Sequence, residues 1–259
     1  MKHVFYLLLL ISTPIFSQET IETESIKKTK LDIDILVSAD NFGNIYFTKS
    51  NVLYKKGEQQ TTTYNNLQLG SMFSANTFNP LKINLFYKDF NTVVVLDNRL
   101  AEIFKIDFNT LSPYKNITHI STGFDNTIWL FNQDTQKLEL FDYKKLKTRA
   151  QTAPVQSDVL DLKSDYNWCY LLTKNFLYVY NYFGSLVKKM KNDGFTSFCL
   201  SNENIMLKKG DVLFYLSKNN GNPIRISTPN FLIKQFSLTN ETLYIYDSES
   251  LHELQLKIN

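Results

Sequence analysis

The feature that most constrains this chain is an internal repeat. A short apolar stretch, a polar turn, a second apolar stretch, another turn and a third apolar strand recur from residue 31 onward. The first unit reads Ile35-Leu36-Val37, then Ser38 to Asn44, then Ile45-Tyr46-Phe47. Later units follow at Ile83–Leu96, Ile117–Phe131, Val159–Leu172, Phe195–Leu207 and Ile233–Tyr246. Second strands are expected to begin at Ile45, Val93, Ile128, Trp168, Ile205 and Leu243. Third strands are expected at Leu53, Ile103, Leu138, Leu177, Leu213 and Leu251. Both series step by a period that clusters near about 38 residues.

The third strand carries its own signature, an apolar segment that ends on a turn former. It is visible in Ile103 to Asp107, Leu138 to Asp142, Leu177 to Asn181 and Leu213 to Ser217. Asp, Asn and Ser bend a chain by hydrogen-bonding their own backbone, which compensates for only 8 glycines. Short strands rich in Val, Ile, Tyr and Phe, with turns about every ten residues, predict an all-β fold. A period near forty residues with three or four strands per unit predicts a single β-propeller. Six blades of four-stranded antiparallel sheet are expected, with five or seven as the alternatives, because the N-terminal strand could close the ring on the last blade. Blade-on-blade packing also accounts for an aromatic content of 14%. No sustained 3.6-residue amphipathic stretch argues for helices.

The organisation expected is a signal peptide over 1–17, a flexible polar leader over 18–30 and the propeller domain over 31–259. Lys2 and His3 form a short basic region, Val4 to Ile11 an apolar one, and cleavage is placed after Ser17. The apolar run is too short to span a bilayer, and no later run approaches 18 residues. An exported protein of the periplasm or cell surface is therefore expected, with no transmembrane segment in the mature chain. A net charge of +3 gives no electrostatic case for nucleic acid. Cys169 and Cys199 lie in apolar β-like runs and read as buried thiols, with a disulfide as the alternative.

The turn Asp40-Asn41-Phe42-Gly43-Asn44-Ile45-Tyr46 resembles the D-x-x-G-N-x-Y turn of bacterial six-bladed propellers of the NHL and TolB-like group. The resemblance extends over the chain as a repeat pattern, while the Gly-containing turn stands only in the first unit. The segment Phe78 to Phe90 is a longer, less repetitive entry to the second unit. It resembles a stretch of small exported propellers of gliding, type IX-secreting bacteria. That resemblance implies a place in an envelope assembly and no particular chemistry.

Propeller enzymes place reactive groups on inner strands, where different blades converge on the axis. The polar candidates there are His119, Asp161, Asp34 and Lys88, with Lys163, Lys234 and Gln235 beside them. They fall at different offsets and mix signs, so no carboxylate–amide metal site assembles from them, and no catalytic residue, cofactor or metal is assigned. There is no G-x-S-x-G, no HExxH and no G-x-G loop. Only Arg99, Arg149 and Arg225 are present, too few for a sialidase-type cluster. His252 sits in an alternating strand and is expected to face solvent. Lysines near strand ends, such as Lys144-Lys145 and Lys188-Lys189, read as guards of exposed strand edges. The function expected is a non-enzymatic envelope scaffold that binds a protein partner. The alternatives are a carbohydrate-active or lactonase-like enzyme using the central channel, or a glycan or small-molecule binding module.

Overall fold

A computed structural model of the chain describes residues 20–219 and 221–258. The expected signal peptide over 1–17 lies outside the described residues. The first strand, β1 (Thr20–Lys30), is followed by four consecutive meanders of antiparallel strands. Sheet A comprises β2 (Ile35–Ala39), β3 (Ile45–Lys49), β4 (Val52–Lys56) and β5 (Thr61–Tyr64). Sheet B comprises β6 (Ser74–Asn76), β7 (Ile83–Tyr87), β8 (Thr92–Leu96) and β9 (Glu102–Asp107). Sheet C comprises β10 (Ile117–Thr122), β11 (Thr127–Asn132), β12 (Lys137–Asp142) and β13 (Lys147–Gln151). Sheet D comprises β14 (Val159–Ser164), β15 (Trp168–Thr173), β16 (Phe176–Asn181) and β17 (Leu186–Lys191).

The remaining strands are β18 (Ser197–Ser201), β19 (Asn204–Lys209), β20 (Val212–Leu216), β21 (Ile224–Ser227), β22 (Gln235–Thr239), β23 (Thr242–Tyr246) and β24 (Ser250–Leu256). With β1 they form sheet E, in the order β18-β19-β20-β21-β1-β24-β23-β22. Among the described residues the chain therefore makes four four-stranded sheets and one eight-stranded sheet, rather than six separate blades. The cause is β1. Its start pairs in parallel with β21 (Thr20 with Arg225), and the rest pairs antiparallel with β24 (Lys30 with Ser250).

Over residues 20–30 the chain is thus a paired strand, not the flexible leader expected for 18–30; residues 18–19 lie outside the described residues. Strand β1 is polar because most of its residues face water, with only Ile21 buried. Its place is set by backbone hydrogen bonds, together with Thr23 Oγ1 donating to the Ser227 carbonyl at 2.7 Å. The pairing of the N-terminal strand with the last strands is the ring closure anticipated from the repeat.

The second unit is also phased differently from expectation. Its first strand is β6, only Ser-Ala-Asn, so Ile83 opens the second strand and Val93 lies in the third. Strands β7 and β8 are buried at every residue, which is why their apolar runs pass for inner strands in the sequence.

Among the described residues five of the six apolar clusters join neighbouring sheets, and the sixth lies within sheet E. Val93 and Ile106 of sheet B pack with Ile120 and Leu130 of sheet C. Trp129 and Leu140 of sheet C pack with Leu162 and Leu171 of sheet D. Leu36 and Phe47 of sheet A pack with Tyr246 and Leu251 of sheet E, which closes the circle. The first strands β2, β6, β10, β14, β18 and β22 face the axis, and the arrangement is a β-propeller.

The turn formers act as their chemistry requires. Asp40 Oδ1 accepts the N–H groups of Phe42 and Asn44, each at 2.9 Å. Asp142 Oδ1 takes Lys144 and Lys145, and Asn181 Oδ1 takes Phe183 and Ser185. Both thiols are free; Cys169 lies buried in β15, and Cys199 lies on β18.

Candidate functional site

The first strands meet around the axis through short polar bridges. Ser38 Oγ lies 2.5 Å from Thr77 Oγ1, tying sheet A to sheet B. Asn76 Nδ2 donates to Ser121 Oγ at 3.0 Å, tying B to C. Ser164 Oγ lies 2.8 Å from Ser121 Oγ and also meets the Thr122 carbonyl, tying C to D. Asp161 Oδ2 accepts the Phe198 N–H at 3.2 Å, tying D to E. Within E, the Asn240 N–H donates to Ser201 Oγ at 2.9 Å. Thr239 Oγ1 donates to the Ala39 carbonyl at 2.7 Å, returning to sheet A. Small hydroxyl and amide side chains suit this place because strands converging on an axis leave little room, and each bridge satisfies a group withdrawn from water. The sequence shows a Ser or Thr at or beside the end of each first strand, but there it is indistinguishable from a turn former.

Two cavities share the axis. The outer one, about 260 Å³, opens between the loops that join first to second strands; Phe42, Phe78, Pro80, Lys163 and Cys199 are among its walls. The inner one, about 200 Å³, is lined by Phe73, Asn76, His119, Leu160, Asp161 and Lys163, among others. The fold thus brings His119, Asp161 and Lys163 together. Lys88 stands beside them, its ammonium 4.8 Å from the centre of the Phe73 ring, and that ring meets His119 edge to face at 6.3 Å. Lys88 occupies a short 3-10 turn between β7 and β8, so it reaches this region from a loop and not from an inner strand.

Asp34 does not join them. It stands exposed before β2, where its carboxylate accepts the Ser50 N–H at 2.6 Å. Lys234 is exposed as well, and its backbone N–H bonds the Tyr246 carbonyl. Gln235 Oε1 is buried without a hydrogen-bond partner among the described residues.

The chemistry available to the inner cavity is narrow. Burial pushes the His119 imidazole down to about 4; Asp161 opposes the shift, while Lys88 and Lys163 add to it. The ring is therefore neutral at physiological pH, and its pKa lies well below the value that favours general base catalysis. Asp161 is engaged as a structural acceptor. Its Oδ1 takes the Leu162 N–H and stands 3.0 Å from the Lys163 ammonium, while its Oδ2 takes Phe198. Among the described residues no three His, Cys, Asp or Glu side chains are grouped so as to hold a metal ion. Burial also pushes the Cys199 thiol up to about 12, which keeps it protonated and unreactive.

The loops around the outer cavity carry aromatic side chains from four different turns. Phe42, Phe78, Tyr166, Tyr182 and Phe183 are all exposed, Phe42 at 79%. Phe78 of sheet B meets Tyr166 of sheet D with ring centres 5.0 Å apart. Phe124 of sheet C meets Tyr182 at 5.7 Å, Tyr182 meets Phe183 at 4.1 Å, and the Arg149 guanidinium lies 5.4 Å from the Phe124 ring. These loops share one end because an antiparallel meander returns its first-to-second and third-to-fourth connections to the same side. Sequence inspection singles out Phe78, Tyr182 and Phe183 but does not show that they converge.

His252 is buried, contrary to its expected exposure. Its Nε2 lies 2.6 Å from Asp247 Oδ2, and its ring stacks on Phe231 at 4.2 Å.

No protein-family model matches the sequence, and no characterised protein is detectably similar to it by sequence. Solved structures share the fold. An inactive variant of virginiamycin B lyase from Staphylococcus aureus, solved with quinupristin, superposes with a TM-score of 0.59 at 11% identity, covering 86% of this chain and 80% of that one. BamB from Moraxella catarrhalis gives 0.53 at 11% identity, covering 92% and 98%. PorZ, an essential bacterial surface component of the type-IX secretion system of Porphyromonas gingivalis, gives 0.52 at 12% identity, covering 88% of this chain and 38% of that one. At these identities the likeness is one of fold.

Proposed function

We propose that this chain is a non-enzymatic, exported β-propeller that serves as a protein-docking scaffold in the bacterial cell envelope. Its place is that of an accessory subunit of an outer-membrane secretion or gliding assembly of the type IX kind. The observation that carries the docking role is the aromatic end: exposed Phe78 and Tyr166 of separate sheets touch beside the mouth of the axis, and on the same end the exposed Tyr182–Phe183 pair packs on half-buried Phe124 of the next sheet. Aromatic side chains that stay ordered in water supply large contact area at little further entropic cost, as anchor residues of protein interfaces do. The envelope setting is supported by the apolar N-terminal segment of the sequence and by the fold shared with PorZ. In this reading the eight-stranded sheet acts as two blades that share β1, so six blades make the ring.

The test is purification of the tagged protein from solubilised envelopes of its own host, beside a Phe78→Ala/Tyr166→Ala variant. The scaffold reading expects one stoichiometric envelope partner with the native chain and its loss with the variant. A monomer that carries no partner in either case contradicts it. A second reading, a channel enzyme acting on lactones or glycans, rests on His119 and Asp161 lining one cavity. Turnover of such a substrate that disappears in His119→Ala would favour it.

A further inference from the structure

The lining of the inner cavity carries one cation and one anion, Lys163 and Asp161, and a second cation, Lys88, stands outside the lining but near enough to act on His119. The charged groups around His119 are Lys88, Lys163 and Asp161. Asp161 is already committed to two backbone N–H groups and to Lys163. An ammonium has three donors, and one contact to Asp161 leaves Lys163 with two. Among the described residues Lys88 contacts only the face of Phe73, and no carboxylate pairs with its charge. His119 uses Nδ1 towards Thr118 Oγ1 at 3.1 Å, and Nε2 has no partner among the described residues. Beside these donors the wall is mixed, with Phe73, Leu160 and Ile120 apolar and Ser74 and Asn76 polar.

We propose that this cavity is a binding site for a monocarboxylate with a short aliphatic portion. The carboxylate accepts from Lys163 and from His119, Lys88 balances its charge from the rim, and the aliphatic carbons lie against Phe73 and Leu160. A cationic ligand would face two ammonium groups, Lys88 and Lys163, with only the already engaged Asp161 to oppose them, and a neutral one would leave two Lys163 donors unanswered in a half-buried place. Lys163 also lines the outer cavity, so the carboxylate can be that of a free acid or of a protein chain end entering from the aromatic end. The inference does not rest on the scaffold reading, because binding of a small probe requires no partner.

The test follows the imidazole resonances of the purified protein by NMR during titration with sodium butyrate, with His252 as the internal reference. A saturable shift of His119 alone is expected, absent with n-butanol and with n-butylamine. Lys163→Met should weaken the affinity by about tenfold or more, which is the loss of one charge-assisted contact. Lys163→Arg, which keeps the charge, should stay within a few-fold and controls for folding. A tetrapeptide with a free C-terminal carboxylate, compared with its amide, separates the sources. Tighter binding than butyrate assigns the site to a chain end, and weaker binding assigns it to a free acid. No saturable shift with either probe, an equal response to n-butanol, or unchanged affinity in Lys163→Met overturns the proposal.

Discussion

The two ends of the strands handle side chains in opposite ways. At the end where first strands turn into second strands, exposed aromatic rings meet rings of other sheets, as Phe78 with exposed Tyr166 and exposed Tyr182 with half-buried Phe124. At the other end, charge is buried and paired. Lys115 lies in the link from sheet B to sheet C and stands 2.5 Å from Glu139, with side chains only 11% and 5% exposed. Glu139 also accepts from Asn132 and Thr148. Asp247, in the turn between β23 and β24, and His252, on β24, form a second close pair, 2.6 Å apart. Apolar groups are exposed at that end as well, Leu67, Phe73, Phe90, Tyr114 and Leu232 among them, but among the described residues no ring contact joins one exposed ring there to another. A buried ion pair positions a connecting link but offers nothing to a partner, whereas a patch of contacting rings costs solvation and is usually an interaction site. On the proposed docking role, the difference places stability at one end and recognition at the other.

The largest expected effect is at the charged end. Lys115→Met strands the Glu139 carboxylate and should cost about 3–5 kcal/mol in urea unfolding, while partner capture per folded molecule is unchanged. Loss of capture by the folded fraction would erase the distinction between the ends.

The next effect is one of pH. Burial raises the Asp247 carboxyl, but hydrogen bonds from His252, Glu249 and Ser250 outweigh it and bring it to about 2, below the ordinary 3.8. The unfolded chain then binds the proton first as pH falls. The contribution, about 1–2 kcal/mol, is present above pH 3.8 and is lost as pH drops towards 2. Asp247→Asn should remove it at neutral pH and flatten the acid limb of the stability profile. An unchanged acid limb would mean that the pair holds nothing in place.

The smallest effects separate the ends most cleanly. Phe42→Ser and Leu67→Ser should each change stability by less than about 0.5 kcal/mol. Only Phe42→Ser should weaken a partner, by about tenfold, as measured by surface binding. Equal weakening by Leu67→Ser would show that both ends take part.

Much of this fold is legible in the sequence because its turns are chemically marked. Asp107, Asp142, Asn181 and Ser217 all accept backbone N–H groups where the pattern places third-strand ends. Strand β1 escapes because its order comes from backbone pairing with β24 and β21, which a run of Glu, Thr and Lys does not advertise. Strand β6 escapes because three small polar residues carry no periodicity. His119 and Asp161 are recognisable as axis-facing because they sit on well-formed first strands, while Asp34 lies one residue before β2 and turns outward to Ser50. The convergence of Phe42, Phe78, Tyr166 and Tyr182 depends on how sheets are ordered around the ring, which no local pattern contains.

The central claim is that a partner docks on the aromatic end. The most direct measurement is photo-crosslinking in the living host, with a photoreactive residue placed at Phe42 or Phe183 on that end and at Leu67 or Leu232 on the other. The account predicts one crosslinked partner from the first two positions and none from the second two. Crosslinks from Leu67 and Leu232, or silence from all four positions, would contradict it.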